Sequence, residues 1–503
     1  MVMADQLTPF ALNCHGGPAL TPNLDRLAES AIVFDAAYCG SPLCAPSRFA
    51  LLSGRHISQI GAWDNAAYLP STVPTFAHYL RAMGYRTCLS GKMHFVGADQ
   101  LHGFEERLTT DIYPADFGWV PDWTRPEERI DLWYHNMSSV TQAGPAAITN
   151  QLAFDDEVGA QSLRWLYQVA QDADERPFCH VASFTHPHDP YAARQSFWDL
   201  YDEIEIPLPA TPRPSTADND PHGLRLEHAI ALDAVDIEAD DIRRARRAYY
   251  ANVSYVDDWL GRLFAVLRQT GQFDRTAILF TADHGDMLGE RGLWYKMSLR
   301  EPSARVPMIL RGPGLSGGRH EAAPVSHLDL LPTLIELAGG GGAEPELVDP
   351  PNGLSLCGSL DPARTVATEY TGEAAVAPML MLRHERHKYI AAPGDPEQLF
   401  DLENDPHERV NLASDPAYAP ILADFRTFAA AHWDPEAVRN SVLDSQRRRR
   451  LLTAALERGR RTSWDYQPPR DAANEYARSH MDLADFEQRS RWPRPPAFVP
   501  RWR

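Results

Sequence analysis

Basic charge is scarce in this chain. Lysine and arginine number 48 against 68 aspartates and glutamates, a formal charge of −20. That deficit argues against a protein held on nucleic acid or on an anionic lipid surface. An anionic substrate would therefore have to meet a locally basic site. Cysteine is sparse too. The six, at 14, 39, 44, 88, 179 and 357, have no paired spacing and include no CxxC. This leaves no support for a disulfide framework or a zinc cluster. A run of ~18 apolar residues is missing, and the opening MVMADQ lacks the serial basic, apolar and cleavage regions of a secretory leader. These absences predict a cytoplasmic protein with reduced thiols and no membrane contact. The chain starts abruptly inside what reads as a strand, and a shortened first strand is expected to weaken the sheet around Asp5.

What is present is ordinary globular material. The 503 residues are 44% hydrophobic and 23% charged, enough for a large core. No internal repeat is found. Residues 1 to 340 alternate short apolar runs with helical patterns, which predicts a large mixed, mainly parallel sheet flanked by helices. Strands are expected at Met1–Ala4, Thr87–Ser90, Phe178–Phe184, Ala277–Thr281 and Pro307–Arg311. Helices are expected over 22–31, with Thr21 as cap and Pro22 in first position, and over 75–83, 239–269 and 329–338. A linker rich in Gly, Pro and Glu covers 339–352. A smaller α+β subdomain follows, with short strands in VATEY, MLMLRHERHKYI and EQLFDLEND, and then a helical C-terminal extension. The expected organisation is a catalytic domain over 1–340, a subdomain over 353–420 and an extension over 421–503 that packs on the body or on a neighbouring subunit. The arginine run 447–450 reads as a solvated helix face.

Charged and polar groups recur where the predicted strands end. Asp5 follows the first apolar run, Asp283 and His284 follow TAILFTA, His186 follows HVASFT, and Lys92 and His94 follow TCLSG. In open α/β sheets ligands bind beyond the carboxyl ends of the strands. Two carboxylates and an imidazole suit one divalent ion. Arg48, Lys92 and Lys296 would surround a tetrahedral oxyanion, and Cys44 would begin a helix whose positive end favours an anionic nucleophile. The combination describes a metal-assisted hydrolase of a sulfate or phosphate ester.

The stretch CAPSR, continued by LLSGR (residues 44–55), resembles the signature of the sulfatase family in the alkaline phosphatase superfamily. TPNLDRLAESAIVFDAAYC and TADHGDMLGERGLWYK are similar as well. Within that family the likeness is strongest to the choline sulfatases. It runs through AWDNAAYLP, GKMHFVGADQLHGFEERLTTDIYPADFGW, FTHPHDPY and DPEQLFDLENDP to HWDPEA and SWDYQP. The resemblance implies an alkaline phosphatase-like fold and a hydrolase that splits choline O-sulfate into choline and sulfate. It implies that a formylglycine-generating enzyme oxidises Cys44 to Cα-formylglycine, whose hydrate attacks sulfur. It further implies one divalent ion (calcium first, magnesium or manganese as alternatives) on Asp5, Asp283, His284 and modified Cys44. Arg48 would hold residue 44, Lys92 the sulfate, His94 would be the base, and His186 and Lys296 would flank the leaving oxygen. Trp119, Asn136 and Glu373 would receive the quaternary ammonium, with Asp482 or Asp485 closing the pocket. A homo-oligomer, dimer or tetramer, is implied too.

The chain departs from the usual sulfatase pattern at Gln6, where many members have a second aspartate, and at His284, where many have asparagine. Gln6 is therefore left outside the ligand set. A phosphonate monoester hydrolase, a phosphodiesterase or an arylsulfatase on the same scaffold stays open, as does an unmodified protein that only binds cations. His102, His135, His188 and Asp189 read as structural, while Trp119, Trp123, Trp133 and Tyr134, with Asp116 and Asp122, divide evenly between core and ligand box.

Overall fold

The computed structural model describes residues 1–126, 128–129, 135–339, 346–469 and 491. Trp133, Tyr134, Asp482 and Asp485 lie outside the described residues. An eight-stranded sheet is built from β1 (Val2–Asp5), β2 (Ile32–Phe34), β3 (Arg86–Gly91), β4 (Glu106–Arg107), β5 (Phe178–Pro187), β6 (Ile278–Ala282), β7 (Met308–Arg311) and β8 (Arg319–Glu321). The spatial order is β8-β2-β7-β6-β1-β5-β3-β4. Strand β7 pairs antiparallel with both neighbours, and every other pairing is parallel. The central strands are buried end to end, as strands covered by helices on both faces must be.

The helices are α1 (Pro22–Ala28), α2 (Cys44–Ser53), α3 (Phe76–Ala82), α4 (Asn150–Gln171), α5 (Ala239–Gln269), α6 (Leu330–Ala338), α7 (Ala419–His432) and α8 (Pro435–Leu456). The expected helix over 239–269 appears with those bounds. Glu238 and Asp241 form its capping box, and Gly271 follows it at φ 67°. The expected helix over 22–31 stops three residues early, and Thr21 does not cap it. Asp257 of α5 accepts the N–H groups of Asn23 and Leu24 instead. A tertiary carboxylate has replaced the local hydroxyl, which donates to Asp25. Helix α4 has no counterpart among the sequence-predicted helices. Its interior Gly159 lets the indole of Trp259 lie against the backbone, where a Cβ would sit 2.4 Å from the ring.

A second, antiparallel sheet follows: β9 (Thr365–Tyr370), β10 (Met379–His384), β11 (His387–Ala391) and β12 (Gln398–Asp401), in that order. Helix α7 covers its outer face through Leu422 and Phe425. Lys388 of β11 reaches Glu301 at 2.9 Å and Glu408 at 3.0 Å, all fully or nearly fully buried. Tyr38 donates to Glu301 from the other side. This network pins the small sheet to the segment that follows the catalytic strands. No helix among the described residues is long and apolar enough to cross a membrane.

Removing the ammonium of Lys388 leaves two carboxylates in a site that water does not reach. Lys388→Met is expected to lose about 3–5 kcal/mol of stability, read from the urea midpoint of the full chain. A loss below about 1 kcal/mol would mean that the pair contributes no more than a surface contact.

Candidate active site

Strands β6, β1, β5 and β3 are immediate neighbours, and their carboxyl ends carry the polar residues. Strand β1 ends at Asp5, β6 leads into Asp283 and His284, β3 into Lys92 and His94, and β5 into His188 and Asp189. Helix α2 starts at Cys44 after an extended Leu43, so the thiol meets the positive end of the helix. Arg48 follows one turn later on the same face. The loop after Asp286 returns Lys296. All of these side chains are buried: Asp5, Arg48, Lys92, Asp283, His284 and Lys296 at 0% exposure and Cys44 at 1%.

The donor atoms of Asp5, Cys44, Asp283 and His284 lie within 4.8 Å of one another. Cys44 Sγ is 3.3 Å from His284 Nε2 and 3.9 Å from Asp5 Oδ1. His284 Nδ1 is 3.0 Å from the Gly285 carbonyl, which as acceptor leaves the Nε2 lone pair facing the other three groups. The residues fit one divalent cation. Burial alone would lower the pKa of His284, yet Asp283 and Cys44 raise it, so the pocket draws positive charge. Burial pushes Asp5 up, and Lys92, His188 and Arg48 bring it down to about 2. Burial likewise opposes ionisation of Cys44, but Lys296, Lys92 and His284 hold the thiol well below its usual range. Sulfur here stands where an oxygen of a converted residue would be.

Arg48 does not face the cavity as a free fork. Its Nε donates to Asp283 at 2.8 Å, Nη2 to Asp5 at 3.0 Å, and Nη1 to the Lys92 carbonyl at 2.6 Å and the Ser183 hydroxyl at 2.9 Å. Lys92 pairs with Asp5 and places its ammonium 4.4 Å from the Tyr113 ring centroid. Lys296 Nζ lies 2.7 Å from both Gln6 Oε1 and His188 Nε2. Gln6 also donates to Asp286 at 2.7 Å, so its amide bridges Lys296 to a carboxyl that burial pushes up to about 6.

His186 and His188 exchange the positions expected of them. His186 Nδ1 sits 2.6 Å from Asp155 of α4, and its ring packs edge-on against Tyr255. Asp155 takes the Thr185 and His186 amides as well, so this histidine anchors a strand to a helix. His188, read from sequence as structural, meets Lys296 and hydrogen-bonds to Cys44. Strand β5 ends at Pro187, in register with Asp5, and the segment that follows carries His188 and Asp189 beyond the strand end. Asp189 lies 3.2 Å from His188 and 3.1 Å from His135, so it belongs to the same cluster.

His94 is 2% exposed, and neither ring nitrogen has a hydrogen-bond partner among the described residues. Its backbone, at φ 59°, is held by Asp111, which accepts the amides of Met93 and His94. Its ring centroid lies 5.3 Å from Tyr113 and 5.7 Å from Trp119. Glu373 is buried, and its Oε2 has no hydrogen-bond partner among the described residues. Burial and nearby Asp64 push its pKa up to about 8, and the charges of Lys296 and Cys44 also act on it. Trp123 donates to the Gly372 carbonyl at 3.3 Å, joining the aromatic loop to the Glu373 loop. Asn136 is tied to the His135 side of the site: its backbone carbonyl accepts from Tyr295, whose ring stacks on His135, and its side-chain oxygen accepts the Ser138 amide. Sequence reasoning missed Tyr113, Asp111, Gln6 and the His188–Asp189 pair as site residues. The Pro-His-Asp-Pro spelling was the available signal for the pair.

The family model described as Sulfatase matches residues 1–340, and one described as Choline sulfatase enzyme C terminal matches 440–492. A choline-sulfatase of Rhizobium meliloti (strain 1021) is 48% identical over 508 residues, covering 98% of each chain. A multifunctional alkaline phosphatase superfamily protein of Trinickia caryophylli is 27% identical over 80% of this chain and 88% of its own. A phosphonate monoester hydrolase from Silicibacter pomeroyi superposes with a TM-score of 0.67 at 24% identity, over 86% of this chain and 94% of that one. At that identity the likeness speaks for the fold.

Ion binding can be read without turnover. Calcium or manganese added to chelator-stripped protein should raise the melting temperature, by about 2.7 kcal/mol of stability at a hundredfold excess over Kd. Asp283→Asn and His284→Ala should lose most of that shift. An equal shift in the variants would place the ion elsewhere.

Proposed function

The chain belongs to the sulfatase family, and from that premise we propose that it hydrolyses choline O-sulfate to choline and sulfate. The observation that carries this reading is the two-ended site. One end gathers the cations Arg48, Lys92 and Lys296 around Cys44. Trp119 follows outward, packed on the Tyr113 ring that Lys92 faces, and the buried carboxyl of Glu373 lies within electrostatic reach of Lys296 and Cys44. A zwitterion with a sulfate at one end and a trimethylammonium at the other matches both.

Asp5, Asp283, His284 and residue 44 would hold the ion, and sulfatases take their nucleophile from a formylglycine made from the cysteine of this motif. A bound divalent ion supplies Lewis-acid polarisation of the sulfate oxygens, and the converted residue supplies a carbonyl carbon whose hydrate carries two oxygens. Calcium suits a dry set rich in carboxylate oxygens better than magnesium, which keeps several waters. Manganese, which accepts imidazole, is the competitor. Arg48 fixes the two carboxylates. Lys92 and Lys296 neutralise sulfate charge as the S–O bond to choline breaks. His188 and Lys296, in hydrogen-bond contact, deliver the proton that the departing choline oxygen needs. His94, whose ring nitrogens have no partner among the described residues, takes the proton from the second oxygen at position 44 so that sulfate can leave. Maturation by a formylglycine-generating enzyme and a cytoplasmic homo-oligomer belong to the same reading.

Cys44→Ala should fold and lose all measurable ester hydrolysis. Cys44→Ser should release about one equivalent of choline per site and then stop, because a serine ester has no second hydroxyl. Mass spectrometry of the peptide carrying residue 44 should find the aldehyde in active preparations. Steady turnover by either variant would refute the mechanism.

Leaving-group recognition is tested with two esters on one enzyme preparation. Trp119→Ala should cost roughly ten- to thirtyfold in kcat/KM for choline sulfate, from a desolvated cation–π contact of ~2 kcal/mol. It should cost much less for 4-nitrophenyl sulfate. Glu373 is protonated below its raised pKa of about 8, so its carboxylate becomes available as pH rises. The choline ester should therefore show a rising limb near pH 8 that the aryl ester and Glu373→Gln lack. Faster turnover of a phosphate diester than of choline sulfate would transfer the assignment to a phosphodiesterase.

A further inference from the structure

Resting on the choline-ester reading, we propose that the C-terminal segment from Gln446 to Asp465 is a specificity-determining strap. It shapes, in the same chain, the loop that carries Tyr113 and Trp119 and the wall beside Glu373. Preference for a cationic leaving group would then be set from outside the catalytic sheet.

The loop over 111–126 has no helix or strand of its own. Such a loop cannot hold two aromatic rings in place unless its amides are satisfied elsewhere. The C-terminal segment supplies two of the partners. The Trp123 amide donates to Gln446 at 3.0 Å, and the Ala115 amide donates to Asp465 at 3.0 Å. These anchors bracket Trp119 on both sides. Gln446 is fully buried although it lies on α8, so the helix face meeting the loop is packed. Arg450 adds an ion pair to Asp122.

The second contact reaches the carboxylate end of the site. Arg449 grips Asp64 with both terminal nitrogens, at 2.5 and 2.7 Å, and both side chains are buried. A bidentate pair of this kind fixes orientation as well as charge. The residue before Asp64 is tied to the Glu373 loop, since the Thr371 hydroxyl donates to the Trp63 carbonyl at 2.7 Å. Arg449 compensates the Asp64 charge and fixes the wall on which the Glu373 loop sits. Without it, Asp64 would be a buried carboxylate lacking its cation, and the wall would relax. None of these contacts touches Asp5, Cys44, Asp283 or His284. The strap therefore acts first on the leaving-group end and reaches the sulfate end only through the loop's contacts to Lys92 and His94.

The test uses the full chain with Arg449→Met, Gln446→Leu and the milder Arg450→Met, the last on a partly exposed pair that folding tolerates. Hydrogen exchange of the 111–126 peptides is read without substrate, and kcat/KM is read for choline sulfate and 4-nitrophenyl sulfate. Exchange in 111–126 should quicken in the variants while β1 and β6 stay protected. The choline ester should lose roughly tenfold in kcat/KM, mainly through KM, and the aryl ester less than about threefold. Unchanged exchange in 111–126 overturns the strap, and so do equal losses on both esters. If the wild type prefers the aryl ester, the choline reading has failed on its own. The exchange result then decides the strap alone.

Discussion

A single guanidinium holds the site together. Arg48 sends four hydrogen bonds to Asp5 at the end of β1, Ser183 in β5, the Lys92 carbonyl after β3 and Asp283 after β6. Those are the four adjacent strands whose ends make the floor of the cavity. Burying this charge is costly, and burying Asp5 and Asp283 unpaired would be costlier still. Together they form a neutralising frame that fixes each carboxylate through one oxygen and leaves the other oxygen turned toward Cys44 and His284. The same geometry explains why arginine is needed there. Lysine has one nitrogen and could not reach two carboxylates and two further acceptors in fixed directions.

Electrostatics then divide the cavity. The chain as a whole is strongly acidic, yet the ammonium groups of Lys92 and Lys296 converge on one point near Cys44. Low local dielectric makes these few cations outweigh the distant surface carboxylates, which water and salt screen. Their effect is visible in the protein's own groups: Asp5 is held down and the Cys44 thiol is held down against its burial. Beside them Glu373 behaves in the opposite way, because burial and the repulsion of Asp64 outweigh the pull of Lys296. One cavity thus stabilises an anion at one end and penalises an anion at the other, which is the electrostatic image of a zwitterion.

How much of this was legible in the sequence follows from distance along the chain. Asp5, Lys92, Asp283 and His284 were readable because strand ends in a parallel sheet share one rim, so position in the strand fixes position in space. The Cys44–Arg48 spacing was readable because one helical turn separates the two residues. The choice between His186 and His188 was not, since it turns on where the ladder breaks and on Asp155, which lies about thirty positions away in a helix the sequence did not announce. Thr21 looked like a cap until Asp257, remote in sequence, supplied one. The arginine run misled in part for the same reason. Arg447 and Arg448 are solvated as a charged helix face should be, but Arg449 and Arg450 turn inward to Asp64 and Asp122. Charge runs report composition, and only the fold says which members face a partner.

The two ends of the cavity also differ in how they are supported. The sulfate end is made by strand termini and a buried helix, elements that the eight-stranded sheet holds rigidly whatever else changes. The leaving-group end is made by loops over 111–126 and 371–374, which depend on Trp123, Gly372 and the C-terminal helix for their shape. Rigid strand ends can therefore keep one anion chemistry while the loops that meet the alcohol vary. Specificity in this architecture resides in side chains far from the sheet in sequence and adjacent to it in space. Under the strap proposal the C-terminal segment, remote from Asp5 in sequence, sets which ester enters without touching the carboxylates that Arg48 locks.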